Sequence, residues 1–415
     1  MALGNGVRVL GEELPHARSV TVALFLGAGS RLETAQEAGI SHFIEHMLFK
    51  GSERRPTSRE ISETVEKVGG VINAETSKEL AIYWVKVAQA HWRLAVDILA
   101  DLVLHPRFDA VEVERERQVI LDELRMLRDE PSERVAVLLD ELLWNGSSLA
   151  WDVAGRPETV RQITREDLIR HYQAYYVPEN AVVSVAGAVA FPELVEEVSQ
   201  RFGEWQPRPK GPWVPALLAG EPRVRIESKR TSQEHVCLAV PGLTYADPER
   251  YALDLFNIVL GEGMSSRLFL ELRDRLALAY DVNSYVNYYR DVGAAVVYVG
   301  VAPRRAEKAV EAITKEIAKL KADLPAPELA RAKEYWKGRL ILSMEDTYGV
   351  ASWLGAQEML LGEVRTIEEV MAAVDRVEPE DVVRVGKRLF REDALRLAAV
   401  GPLSKDEKLA RRFPL

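Results

Sequence analysis

Cysteine is almost absent: Cys237 is the only one in 415 residues. No internal disulfide can form, and no cysteine-rich zinc site can be built. That usage fits a reducing compartment, and a cytoplasmic location is expected. No apolar run approaches the roughly 20 residues of a membrane-spanning helix. The N-terminal stretch from Met1 to Arg8 also lacks the layout of a signal peptide, so no membrane partner is expected. Positive charge is not in excess. The chain has 54 Lys and Arg against 64 Asp and Glu, a net charge of −10, which argues against a nucleic-acid partner. What remains, 47% hydrophobic and 28% charged residues, is the profile of a globular protein with enough chain for two domains.

One stretch stands out, Gly39-Ile-Ser-His-Phe-Ile-Glu-His-Met-Leu-Phe-Lys50. His42, Glu45 and His46 form an H-x-x-E-H pattern. On a helix, His42 and His46 are i and i+4, so both imidazoles leave the same face about one turn apart. Two imidazoles at that spacing can fill two positions of a tetrahedral zinc. Glu45 sits where its carboxylate can reach a water on the metal. Zinc lowers the pKa of such a water towards ~7, and a carboxylate can accept its proton. The order is the reverse of H-E-x-x-H, an inverted zincin pattern. A lone His on so apolar a helix is usually a satisfied core residue. Two His and a Glu together want a common partner, because unpaired buried polar groups are costly.

Along the chain, strands are expected over 6–13, 18–26, 71–75, 80–88 and 180–187. Helices are expected at the motif, from the Thr57/Glu60 capping box to Gly69-Gly70, and over 91–104, 110–128, 131–144, 164–175 and 191–203. Residues 204–222 are Pro-rich without a regular period and read as an extended linker. The order then starts again. Strands fall near 222–228, 234–240, 280–289, 293–301 and 394–400. Helices fall near 247–260, from Ser265-Ser266, and over 304–322, 327–345, 348–361 and 379–390. The repeat of element order predicts an internal duplication, an α+β fold with one α/β-layer domain per half, each an antiparallel-rich sheet with helices. The expected domains are 1–203, the linker 204–222 and 223–415. The second half has no H-x-x-E-H; its counterpart helix, Tyr251–Val259, is apolar and lacks His.

A catalytic zinc usually takes a third protein ligand. On the 110–128 helix, Glu116 and Glu123 are two turns apart and share a face. Ile120 lies between them, which suggests that the face is partly buried. Either Glu alone is most often a solvated helix carboxylate. His91, His105, His171 and His235 have no motif context and read as core or surface residues. Gly261-Glu-Gly263 before Met264-Ser265-Ser266 has no phosphate-binding Lys in P-loop spacing, so a turn and N-cap is the better reading.

These motifs together resemble the pitrilysin- or insulinase-type M16 zinc metallopeptidases, in the short branch near bacterial and mitochondrial-processing-peptidase-like proteins. The resemblance rests on Gly29-Ser30-Arg31-Leu32-Glu33, then His42 to Gly51, then Asn73-Ala74-Glu75-Thr76. It continues with Glu116-Arg117-Gln118-Val119-Ile120-Leu121-Asp122-Glu123, and with Arg273 and Tyr280 in the second half. It covers essentially the whole chain. It implies that His42, His46 and Glu123 bind one Zn2+ per chain, that Glu45 is the general base and that Glu116 supports the site. It implies that Asn73, Ala74 and Thr76 line a substrate-binding strand, and that Arg273 and Tyr280 reach the substrate from the other half. A glycine common in the family before Leu-Ala-Tyr is Ala277 here. The resemblance further implies a clamshell of two halves enclosing an endopeptidase or oligopeptidase site for unfolded peptides. It also implies a homodimer, or a heterodimer with a second M16 subunit. The alternative is a catalytically silent M16 structural subunit, or a peptide-binding partner of another M16 protein.

Overall fold

The structure is a computed structural model describing residues 1–218 and 220–402; the stated end of the second domain at 415 lies outside them. It contains two five-stranded sheets of the same connectivity. In the first, β1 (Arg8–Glu13), β2 (Ser19–Leu26), β3 (Val71–Thr76), β4 (Ala81–Ala88) and β5 (Ala181–Gly187) lie in the order β1-β5-β2-β4-β3. β1 and β5 are parallel, and the other neighbours are antiparallel. In the second, β6 (Val224–Ser228), β7 (Glu234–Pro241), β8 (Ala279–Tyr288), β9 (Gly293–Val301) and β10 (Arg396–Gly401) repeat it as β6-β10-β7-β9-β8. Again only the first pair, β6 and β10, is parallel. The α+β class and the duplication are both present, and β3 and β8 are equivalent free-edge strands.

Packing divides the chain differently from its sequence order. One compact unit is Met1–Arg125, Trp151–Val214 and Ile341–Val364; the other is Met126–Ala150, Pro215–Leu340 and Arg365 onward. Each unit thus takes a helix from the opposite half. The reason lies in the sheet faces. β2 and β5 are buried along almost their whole length, so both faces need cover. Helix Trp92–Leu104 packs on β2 and β4, and helix Thr347–Leu361 packs on β2 and β5. Val350, Ala351 and Met359 join Ala23, Phe25, Val182 and Ala186 in one core cluster. Ser184 donates its hydroxyl to the Ala351 carbonyl at 2.8 Å. Gly355 lies so close to Phe25 that a Cβ there would stand 2.2 Å from the ring. In the second unit, helix Pro131–Leu143 plays this part on β7 and β10, burying Val135, Leu138, Leu139, Leu142 and Leu143 on one stripe.

Residues 204–222 contain no helix or strand among the described positions. The start of this segment is nevertheless held to the first unit. The Gly211 amide donates to the Ala174 carbonyl at 2.9 Å, and Arg31 Nε to the Val214 carbonyl at 3.0 Å. Two short helices, Pro157–Gln162 and Ile367–Asp375, were not expected. The helix expected after Ser265-Ser266 is wound as a π-helix over Phe269–Arg275.

Candidate metal centre

The H-x-x-E-H residues lie on the helix Ile40–Leu48. Its start is fixed by Glu33, whose two carboxylate oxygens accept from the Gly39 and Ser41 amides at 2.8 and 2.9 Å. Those amides have no partner inside the helix, and their hydrogen bonds only partly offset the burial that pushes the Glu33 pKa up to about 8. Gly39 has φ of 98°, a conformation that glycine adopts freely. Arg31 holds the preceding turn from inside. Fully buried, it pairs with Glu79 at 2.6 Å and stacks under Trp213 at 4.2 Å. The Gly-Ser-Arg-x-Glu stretch is therefore the mount of the motif helix.

The second helix, Ala110–Asp129, carries Glu116 and Glu123. Arg117 ties the two helices together, with its guanidinium 5.5 Å from the Phe43 ring centre. Glu116 and Ile120 are buried, and Glu123 is half-exposed. Asp109 caps this helix, accepting from the Val111 and Glu112 amides.

His42, His46 and Glu123 come together, with one ligand atom from each lying within 4.8 Å of the others. Glu123 Oε2 is 3.6 Å from His46 Nε2 and 4.0 Å from His42 Nε2. Both distances are too long for hydrogen bonds. They are near the ~3.4 Å separation of ligands on a tetrahedral zinc with bonds of about 2.1 Å. His42 Nδ1 is buried and, among the described residues, has no hydrogen-bond partner. Burial, and then the neighbouring His46, push the His42 pKa down to about 4, so the ring is neutral and has a lone pair to give. The donor set of two imidazoles and a carboxylate fits zinc.

Glu116 does not point at this centre. Its Oε2 is 3.0 Å from His46 Nδ1, and its Oε1 is 2.5 Å from Lys50 Nζ. Burial works to raise the Glu116 pKa, but the contacts to His46 and Lys50 outweigh it and hold the carboxyl below its usual range. Burial also works against charge on His46. The Glu116 hydrogen bond and the charges of Glu123, Glu116 and Glu45 overcome it and raise the His46 pKa. An ionised Glu116 accepts the Nδ1 proton, which leaves Nε2 free to face Glu123.

Glu45 stands on the motif helix and, among the described residues, is not part of the ligand cluster. Its Oε2 is 2.5 Å from Thr76 Oγ1. Burial lifts its pKa above the usual carboxylate range, partly offset by that hydrogen bond and by His46. Asn73 and Ala74 lie on the free-edge strand β3, with Asn73 Oδ1 accepting from the Ala74 amide at 2.9 Å. Lys50 was not singled out from the sequence, although it stands four residues past His46, a spacing that brings side chains together at a helix end.

Arg273 and Tyr280 are in the second unit and are adjacent. The Arg273 guanidinium is 4.8 Å from the ring centres of both Phe269 and Tyr280. Tyr280 is 77% exposed, at a register shift that starts β8. Ala277, where the resemblance has glycine, takes φ of 47°, a left-handed conformation that is strained for a residue with a Cβ.

Comparison with known proteins agrees along the chain. Residues 8–155 match the family described as insulinase, peptidase family M16, and residues 162–335 match the peptidase M16 inactive domain. A Bacillus subtilis protein named as an uncharacterized zinc protease, YmxG, is 37% identical over 96% of this chain and 97% of its own length. A Streptomyces coelicolor protein, also named an uncharacterized zinc protease, is 32% identical over 99% of this chain and 90% of its own. The crystal structure of a protease from Helicobacter pylori superposes with a TM-score of 0.91 at 24% identity, covering 97% of this chain and 98% of that one.

Proposed function

Because this chain belongs to the insulinase, or M16, family of peptidases, we propose that it is a zinc-dependent endopeptidase or oligopeptidase acting on unfolded peptides. The observation that carries this reading is the convergence of His42, His46 and Glu123 beside a non-ligand carboxylate, Glu45. His42, His46 and Glu123 would hold one zinc per chain, and Glu116 would orient His46. When bound, zinc supplies a Lewis acid that polarises the scissile carbonyl and lowers the pKa of water. Glu45 takes the proton from the attacking water and returns it to the leaving amine. Its raised pKa makes the carboxylate a stronger base for the first of these steps.

The edge strand β3 offers main-chain groups to an extended peptide at Asn73 and Ala74, a mode largely indifferent to side-chain sequence. Arg273 and Tyr280 are further substrate contacts by resemblance. Pairing with a second M16 chain, identical or not, and a cytoplasmic location belong to the same reading. Among the described residues no helix is long and apolar enough to cross a membrane.

The test is cleavage of a quenched fluorogenic peptide with and without chelator. Chelator-sensitive turnover is expected, with little attack on the same sequence set in a rigid element of a folded protein. Binding without turnover by the zinc-loaded chain would point to the peptide-binding alternative.

A further inference from the structure

Thr76 lies on the edge strand β3, with its side chain on the half-buried face of the sheet. Along β3 the side chains of Val71, Asn73 and Glu75 are exposed, while those of Ile72, Ala74 and Thr76 are half-buried on the opposite face. β3 packs against the helix Ile40–Leu48, and Thr76 Oγ1 meets Glu45 Oε2 at 2.5 Å. An ionised carboxylate has only acceptors, so the hydroxyl donates. The side-chain hydrogen bond to the Glu45 carboxylate comes from Thr76 and falls on Oε2.

The rest of Thr76 is held firmly. Its backbone pairs with Ala81 on β4. The turn that follows is closed by the Ser77 amide on the Leu80 carbonyl at 2.8 Å and by the Leu80 amide on Ser77 Oγ at 3.1 Å. A β-branched side chain on a paired strand has few rotamers to choose from. The hydroxyl is therefore a fixed donor, and it engages one of the two Glu45 oxygens.

We propose that Thr76 is the positioning residue of the general base. It ties down Oε2, so the Glu45 carboxylate cannot swing about its terminal torsion, and Oε1 is the oxygen presented to the water. This role rests on the peptidase reading. It differs from the substrate contact that the resemblance implies for Thr76, because it acts on the chemical step and not on peptide binding.

The experiment compares Thr76→Val and Thr76→Ser with the wild type, all as full-length zinc-loaded protein. Thr76→Val keeps the shape and removes the donor; it should lower kcat by about 10–100-fold, the weight of a hydrogen bond to a charged group, with KM little changed. Thr76→Ser should restore most of the rate. Zinc content by elemental analysis should be the same in all three. Chelator-stripped wild type and Thr76→Val should bind a fluorescently labelled form of the same peptide equally well. An unchanged kcat in Thr76→Val would overturn the role. So would a raised KM with weaker peptide binding at unchanged kcat, which marks a substrate contact. If Thr76→Val fails to fold, Thr76→Ala replaces it, and a kcat equal to that of Thr76→Ser overturns the role. A wild type with no chelator-sensitive turnover would sink the peptidase reading and this role with it; an active wild type matched by Thr76→Val sinks this role alone.

Discussion

His46 Nδ1 donates to Glu116 Oε2 at 3.0 Å while Lys50 holds the other oxygen of that carboxylate at 2.5 Å. The ring is therefore fixed from behind, with Nε2 aimed at Glu123. Glu116→Gln removes the charge but nearly keeps the shape. We expect zinc affinity to fall by about 10–100-fold, the usual cost of losing such an outer partner. Competition against a chromogenic chelator reads this directly. His46→Ala should lose zinc outright, and stoichiometric metal in that variant would mean the centre is elsewhere.

Glu45 is the group that should separate metal binding from turnover. Glu45→Gln is expected to keep zinc at wild-type stoichiometry and to lose about 10²–10⁴-fold in kcat. A metal-replete Glu45→Gln enzyme with near-normal kcat would remove Glu45 from the mechanism.

Arg31 and Glu79 form a buried pair whose loss is asymmetric. Arg31→Ala leaves the Glu79 carboxylate buried without its guanidinium and also removes the stack on Trp213. The expected destabilisation is about 3–5 kcal/mol, read by urea unfolding. Because the same turn leads into the motif helix, zinc affinity should fall with it.

Asp97 supplies a pH-dependent part of stability. Burial works to raise its pKa, but hydrogen bonds from Arg54 and Arg55, with the charges of Arg54 and Arg201, pull it below the usual aspartate value. A depressed folded-state pKa means the unfolded chain takes up the proton first. The contribution is therefore complete above the unfolded pKa of about 4 and is lost as pH falls through the lower folded value. Thermal melts should show Asp97→Asn less stable than wild type at pH 7, with the gap closing as the pH drops below about 4. A gap independent of pH would show that the loss is packing and not charge.

Arg273 and Tyr280 share a stacked arrangement with Phe269 in the second unit. Arg273→Ala and Tyr280→Phe should lower kcat/KM with zinc content intact. A donor to the developing oxyanion is worth roughly 10²–10³ in kcat, and a contact to substrate alone would appear mainly in KM. Wild-type kinetics in both variants would take this pair out of the reaction.

Much of the fold and of the candidate metal centre was legible because it is written in local spacing. The i, i+4 histidines, the Thr57/Glu60 capping box and the seven-residue step from Glu116 to Glu123 each act within a few turns, and period and caps report such relations. The return of strand order after residue 222 likewise showed the duplication. The crossed helices did not announce themselves. Pro131–Leu143 and Thr347–Leu361 have ordinary apolar stripes, and a stripe states that a face is buried without naming the sheet it is buried on. The π-helical winding around Arg273 was hidden for a related reason, since its residues also suit an α-helix and tertiary fit decides. The resemblance implied a substrate contact for Thr76; its approach to Glu45, 31 residues away in the chain, has no local spacing that could have signalled it.

The cover that Thr347–Leu361 gives to β2 and β5 sets an order of events during synthesis. Both helices that bear the candidate ligands, and all five strands of that first sheet, leave the ribosome before residue 214. The helix that closes the other sheet face follows only after residues 215–340 have been made. At typical elongation rates this is a delay on the order of ten seconds, with Phe25 and Val182 on an uncovered apolar face. A nascent chain in that interval is a natural client for holding chaperones. A version truncated at the end of the first sequence half would carry the same exposed face permanently, and should be recovered as aggregate even though it contains His42, His46 and Glu123.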